Sequence, residues 1–141
     1  MNSLLLVAVQ FSLVVMIAGI GKFPDTVMTM VLFGAGILLG ITSIFYMRLD
    51  NLRIFPEPKK DIRLVTTGPY RILRHPMYTS VLLFAASFIA DSQSYFPYII
   101  WFILLGVLIV KIQIEERLLP KRLPEYADYK KRTWRLIPFI F

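Results

Sequence analysis

The sequence predicts an all-α, polytopic membrane protein with about four transmembrane helices. Of its 141 residues, 57% are hydrophobic, and the apolar residues are gathered into long runs, as crossing a bilayer requires. Inside lipid the backbone must satisfy its own hydrogen bonds, so these runs are expected to be helices. A chain of this length predicts one domain, here a single integral membrane domain over 1–141.

The four apolar runs extend from about Ser3 to Ile20, Val27 to Met47, Met77 to Ala90 and Tyr95 to Ile114. The third run is short, because a full crossing needs roughly 20 residues. It is therefore expected to begin further upstream, to tilt, or to form a tight hairpin with the fourth run across 91–94. No small-residue cleavage site follows the first run, which favours an anchor over a signal peptide.

Gly36 and Gly40 form a G-x-x-x-G pair in the second run. This spacing lets two helices approach closely, although small residues are also ordinary in membrane helices. The pair hints at helix association and leaves the oligomeric state open.

Basic residues indicate the orientation. One cluster lies between the second and third runs, and the other lies in and after the end of the fourth run. The positive-inside rule places these clusters and both termini in the cytoplasm. The net charge of +7 then reflects topology and attraction to anionic lipid, so no nucleic-acid partner is expected. The clustered residues are Arg48, Arg53, Lys59, Lys60, Arg63, Arg71 and Arg74, followed by Lys111, Arg117, Lys121, Arg122, Lys130, Lys131, Arg132 and Arg135.

The sequence has few residues of the types that bind metals or form disulfides. The chain has no cysteine and a single histidine, His75, which excludes disulfides, thiolate sites and multi-histidine metal sites. No metal site is expected. The polar residues able to do chemistry lie in two stretches, 61–78 and 111–138, on the predicted cytoplasmic side, so a site built from a loop and a tail is expected.

In the first stretch, Gly68 and Pro69 are typical of a turn. His75 and Pro76 predict a helix start, since proline favours the first helical position. The N–H groups there would suit an anionic group. Tyr70, His75 and Tyr78 could stack on a planar base and donate hydrogen bonds, but the tyrosines equally fit an aromatic belt at the membrane interface.

In the second stretch, Lys111 and Glu115 are four residues apart and share a helix face. Glu116 points about 100° away from Glu115. One acid could therefore face a pocket while the other faces the loop or tail. Surface charge at the end of a helix would give the same pattern.

The motif Arg74-His75-Pro76-Met77-Tyr78, the following apolar helix and the pair Glu115-Glu116 resemble the signature of one family. It is the isoprenylcysteine carboxyl methyltransferase and phospholipid N-methyltransferase group of integral membrane enzymes. The tail resembles that family's ending at Tyr126, Tyr129, Arg135, Ile137 and Pro138, and the resemblance covers roughly 60–138. It implies an S-adenosylmethionine-dependent methyltransferase acting on a lipophilic or membrane-embedded acceptor, with an N-terminal helix pair (1–47) and a cofactor-binding catalytic region (48–141).

The resemblance also implies roles for residues at matching positions. Lys111 falls where the isoprenylcysteine enzymes carry a substrate-binding arginine, and Glu116 is the candidate base for an amine acceptor. Lysine lacks the planar fork that grips a carboxylate, which puts a carboxylate acceptor in doubt. Two further departures are Ser80, where the family often has glycine, and 123–125, which replaces an F-G pair. The residues that would bind the cofactor are Leu64, Val65, Tyr70, His75, Pro76, Tyr78 and Glu115.

Two alternatives remain open. A membrane reductase of the sterol reductase type shares a similar motif and would bind NADPH. A non-enzymatic membrane module would depend on its basic charge and not on His75 or Glu115. The acceptor atom could be oxygen, nitrogen or sulfur. The short chain favours a prokaryotic plasma (inner) membrane.

Overall fold

The computed structural model describes residues 3–47 and 63–141. Their secondary structure is helical, and the described residues form no strand beyond an isolated bridge between Leu73 and Trp134. The α-helices are α1 (Ser3–Ile20), α2 (Val27–Met47), α3 (Pro76–Ile89), α4 (Phe96–Leu118) and α5 (Tyr126–Lys131), with short 3₁₀ turns at Gly68–Arg71 and Leu119–Lys121. The first two helices have the bounds that the apolar runs predict, and α4 continues four residues past the predicted end. The predicted basic residues Arg48, Arg53, Lys59 and Lys60 lie outside the described residues.

The helix α3 is the centre of the bundle. It packs on α1, α2 and α4, and none of its residues is exposed. Its 14 residues give a length of roughly 21 Å, which is shorter than the roughly 30 Å of a hydrocarbon core. Of the three alternatives left open for the short third run, the structure shows the hairpin with α4. The Tyr98 hydroxyl donates to the carbonyl of Ala90 at 3.0 Å, and Trp101 Nε1 donates to the carbonyl of Leu82 at 3.0 Å.

The two glycines of the G-x-x-x-G pair lie where α2 meets α3. A Cβ added to Gly36 would approach the backbone nitrogen of Phe84 to 2.8 Å, and one added to Gly40 would lie 3.3 Å from Ser80 Oγ. The pair therefore serves a close approach within the chain. Ser80, where the resemblance leads one to expect glycine, fits because Gly40 opposite it has no side chain.

The core runs along α4. Ile17 of α1, Ala85 of α3, Leu104 and Leu108 of α4 and Leu136 of the C-terminal segment are buried together. The outward faces of α1, α2 and α4 carry large exposed apolar side chains. Within the described ranges, two helices are long and apolar enough to cross a membrane, Val27–Met47 and Phe96–Lys121, so four crossings remain a prediction.

Candidate active site

The C-terminal tail is fastened to the loop before α3. The backbone N–H of Arg74 donates to the carbonyl of Trp134 at 2.7 Å, and that of His75 to Arg135 at 3.1 Å. In return, the N–H of Trp134 donates to the carbonyl of Ile72 at 3.0 Å. The loop and the tail, distant in sequence, are therefore held as one unit at the start of α3.

A second set of contacts fixes the turn that precedes this segment. The buried hydroxyl of Tyr129 donates to the carbonyl of Tyr70 at 2.6 Å. Gly68 has a φ of +59° and lies under the ring of Tyr46. A side chain at this position would be strained by its backbone angle and would collide with the ring. These contacts turn Tyr70 inward.

The resulting cleft opens between the end of α2, the loop, the start of α3, the end of α4 and α5. Its cavity volume is about 120 Å³, and with its open mouth the empty space is about 790 Å³. Small-molecule sites span roughly 300–1,000 Å³, so a nucleoside-sized ligand would extend into the mouth. The described residues lining the cleft are Met47, Arg63, Leu64, Val65, Tyr70, Arg74, His75, Met77, Tyr78, Glu115, Leu119, Leu123, Tyr126 and Tyr129.

Most residues that the resemblance assigns to the cofactor lie in this wall. They are Leu64, Val65, Tyr70, His75, Tyr78 and Glu115. Pro76 is not part of the wall. It is buried as the first residue of α3, where its fixed φ suits the helix start. The structure brings these positions together, and their binding roles stay predictions.

Glu115 is the acidic group of the cleft wall. It accepts a 2.5 Å hydrogen bond from the Tyr78 hydroxyl, and its other oxygen lies 3.2 Å from His75 Nδ1. The rings of His75 and Tyr78 stack with centroids 5.7 Å apart and planes 8° from parallel. Burial alone lowers the pKa of His75, but the neighbouring carboxylates of Glu115 and Glu116 outweigh it and raise the pKa above its ordinary value.

Three buried polar atoms of the cleft wall make no hydrogen bond to the described part of the chain. They are the hydroxyls of Tyr70 and Tyr126 and Nε2 of His75, which lies 3.6 Å from Glu116 Oε1, too far for a hydrogen bond. Burial raises the pKa of both Tyr70 and Tyr126, so these phenols stay neutral and can donate. A buried polar atom without a partner is destabilising and calls for an explanation. A polar ligand in the cleft would supply the missing partners.

Glu116 lies in a different environment, the ion cluster that it forms with Arg74, Lys130 and Arg135. Its oxygens are 2.7 Å from Arg74 Nε, 3.0 Å from Arg135 Nη2 and 3.4 Å from Lys130 Nζ. Its side chain is only 4% exposed and does not line the cleft. Surrounding cations stabilise the carboxylate, which is unfavourable for accepting a proton. The predicted role of Glu116 as a base stays a prediction.

Lys111 is the largest fully buried side chain among the described residues. Its ammonium donates to Gln10 Oε1 of α1 at 2.6 Å and lies 5.0 Å from the centre of the Tyr78 ring. It belongs to the interior of the bundle and not to the cleft wall. Its predicted catalytic role is untested by this arrangement.

Several wall residues were missed from sequence. Met47, Met77, Leu119 and Leu123 come from ordinary apolar stretches that carry no local signal of a cleft. Tyr126 and Tyr129, three apart on α5, did carry a signal in the tail motif, but their contribution to the wall depends on how the tail folds back.

The fold and site define a small helical protein with an aromatic and acidic cleft, which the loop and the tail build at one end of an apolar bundle. The chain matches the phospholipid methyltransferase family model over residues 24–125. It therefore belongs to that family, which confirms the resemblance seen in its motifs.

Two curated relatives have names that refer to metal resistance. One is the nickel-cobalt-cadmium resistance protein NccN of Alcaligenes xylosoxydans xylosoxydans, 30% identical over 94% of this chain and 62% of the relative. The other is the cobalt-zinc-cadmium resistance protein CzcN of Cupriavidus metallidurans, 29% identical over 94% of this chain and 61% of the relative. The chain thus spans about three-fifths of the length of the curated relatives it matches.

Proposed function

We propose that this protein is an integral membrane methyltransferase that uses S-adenosylmethionine to methylate a lipophilic or membrane-embedded acceptor. The observation that carries the proposal is the cleft wall, where Tyr78 and His75 hold Glu115. The buried hydroxyls of Tyr70 and Tyr126 beside them have no hydrogen-bond partner among the described residues. Membership of the phospholipid methyltransferase family supports methyl transfer as the reaction class.

The exposed apolar surface supports a place in the membrane. Only 17% of the apolar window of α2 and 33% of that of α4 are buried, whereas the core helix of a soluble protein is mostly buried. We infer a single integral domain over 1–141 in a prokaryotic inner membrane, with about four helices in the bilayer. The central α3 would be shielded from lipid by its neighbours.

The charge distribution supports cytoplasmic termini. Arg117 lies in the last turn of α4, at the end of the bundle that carries the cleft. The segments that follow α4 add Lys121, Arg122, Lys130 and Lys131. The positive-inside rule makes this end cytoplasmic. A soluble cofactor would then reach the cleft directly from the cytosol.

The cleft residues fit the chemistry of the cofactor. S-adenosylmethionine carries a sulfonium and an ammonium, which the Glu115 carboxylate would attract, and polar nucleoside groups that could pair with Tyr70, Tyr126 and His75. When bound, the cofactor supplies an electrophilic methyl group. The chain's residues would orient it and exclude water, which accounts for much of the rate in such transfers.

The apolar part of the wall favours a lipophilic acceptor. Met47, Met77, Leu119 and Leu123 line the cleft and would contact apolar groups entering from the bundle side. The Lys111 ammonium donates a hydrogen bond to Gln10 inside the bundle. It does not face the cleft where it could bind a carboxylate, which favours an acceptor of another kind. Neither the family match nor the relatives' names favour the sterol reductase alternative.

A methyl-transfer assay tests the proposal. Detergent-purified protein is incubated with methyl-labelled S-adenosylmethionine and a bacterial membrane lipid extract, and label in the organic phase is counted. We expect transfer by the wild type and by Glu125→Gln, an exposed matched control, but not by Glu115→Gln. Folded wild type that transfers no label and binds NADPH instead would support the reductase and contradict the proposal.

A further inference from the structure

A buried polar pair connects α1 to the cleft, although the family match begins only at residue 24. Gln10 of α1 and Lys111 of α4 are both buried, and their 2.6 Å hydrogen bond joins residues 101 positions apart. Placing a cation inside an apolar bundle is costly unless it has polar partners. The carbonyl oxygen of Gln10 is such a partner.

The same ammonium reaches the cleft wall through Tyr78. It lies 5.0 Å from the centre of the Tyr78 ring, within the range of a cation–π contact. The hydroxyl of Tyr78 donates to Glu115 at 2.5 Å. Gln10, Lys111, Tyr78 and Glu115 thus form a connected series of contacts from the first helix to the cleft.

Helix geometry offers Lys111 a competing partner. Lys111 and Glu115 are one turn apart on α4, and opposite charges at this spacing can pair, although glutamate before lysine is the more favourable order. Such a pair would bring a positive charge to the carboxylate that faces the cleft. In the structure the ammonium donates a hydrogen bond to Gln10, and Glu115 is bound by Tyr78 and His75. The charge of Glu115 still attracts the ammonium from one turn away.

We propose that Gln10 is a positioning residue of this site: its amide oxygen holds the Lys111 ammonium inside the bundle, over Tyr78, and so leaves Glu115 to a cationic ligand. The inference rests on the proposed function, which makes that ligand S-adenosylmethionine. It assigns α1 a part in ligand selection, because the restrained lysine would otherwise compete with the sulfonium for one carboxylate.

The test compares binding of S-adenosylmethionine with that of S-adenosylhomocysteine, which lacks the sulfonium charge. Affinities are measured by calorimetry on the full chain in detergent. We expect Gln10→Leu to weaken S-adenosylmethionine binding about tenfold and S-adenosylhomocysteine binding about threefold, as neighbouring coupled groups do. Gln113→Leu, the same substitution at an exposed position of α4, is expected to leave both affinities unchanged.

A double variant separates positioning from packing. Removing the competing charge in Gln10→Leu/Lys111→Met should return S-adenosylmethionine affinity to within about threefold of the wild type. Unchanged binding by Gln10→Leu, or a loss that Lys111→Met does not relieve in variants that melt cooperatively, would overturn the inference. Folded wild type that binds neither compound would overturn the proposed function and with it the role assigned to Gln10.

Discussion

The cleft and the ion cluster are neighbouring regions built from adjacent residues of α4, and they treat their carboxylates in opposite ways. Glu116 is surrounded by Arg74, Arg135 and Lys130, so its charge is matched within the chain. Glu115 has only Tyr78 and His75 as its direct polar partners in the described part of the chain. The difference indicates that the ion cluster stabilises the fold, while the cleft retains polar capacity for a ligand.

Removing the charge of Glu116 should give the largest effect. Glu116→Gln leaves the guanidinium of Arg74 without its buried counterion and removes the ionic contacts that Glu116 makes with the tail. We expect the free energy of unfolding to fall by about 3 kcal/mol, the lower end for a broken buried pair because Arg135 and Lys130 reach solvent. Denaturant titration in detergent, followed by circular dichroism, measures it.

Asp128→Asn is the control for that prediction, because the Asp128–Lys131 pair is exposed. Its unfolding should match the wild type, since exposed pairs contribute little. If the two variants were equally stable, the ion cluster would not be the structural element described above.

The three buried tyrosines of the cleft allow single hydroxyl groups to be compared, some available to a ligand and one that stabilises the fold. Tyr70→Phe and Tyr126→Phe remove hydroxyls that lack partners in the described chain. They should leave stability unchanged or slightly raised, and should weaken cofactor binding about three- to tenfold if the ligand pairs with these groups.

Tyr129→Phe is the matched variant for a hydroxyl that stabilises the fold. Its hydroxyl donates to the carbonyl of Tyr70 at 2.6 Å, so its loss should destabilise the fold by about 1 kcal/mol. Thermal melting and calorimetric binding on the three variants give both readouts. The reverse pattern, with Tyr70→Phe destabilising and Tyr129→Phe silent, would refute the assignment.

The smallest expected effect is a pH dependence at His75, which contacts both carboxylates. Its pKa is raised in the folded state, so its stabilising contribution is complete below the unfolded value of about 6.5 and is lost as pH rises through the folded pKa. The melting temperature of the wild type should therefore exceed that of His75→Gln by more at about pH 6 than at about pH 9. A gap that widened with pH would show that the neutral imidazole is the stabilised form.

The sequence predicted the helices better than their arrangement. Apolar runs bounded by turns and charges set the ends of α1 and α2, and Pro76 marked the start of α3. That α3 is the shielded centre could not be read from composition, because α1 and α2 are more apolar than α3. Gly36 and Gly40 indicated a close contact without naming Phe84 and Ser80 as its other side.

The site was predicted only in part, because several of its contacts join residues that are distant in sequence. The 100° separation of Glu115 and Glu116 implied two environments, and the family resemblance suggested which acid faces the cleft. The ion cluster around Glu116 forms because the tail folds back and brings Arg135 to it. The Gln10–Lys111 hydrogen bond joins α1 to α4, 101 positions apart. Local patterns carry no information on such distant pairs.

The most direct test of the central claim is a calorimetric titration of S-adenosylhomocysteine into wild type, Glu115→Gln and Glu125→Gln. If the cleft binds the cofactor through Glu115, the wild type and Glu125→Gln should both bind saturably. Glu115→Gln should bind about 100-fold more weakly, because a charged hydrogen-bonding partner is removed, and its melting temperature should change little. Equal affinities in all three folded proteins, or no binding by the wild type, would contradict this binding mode.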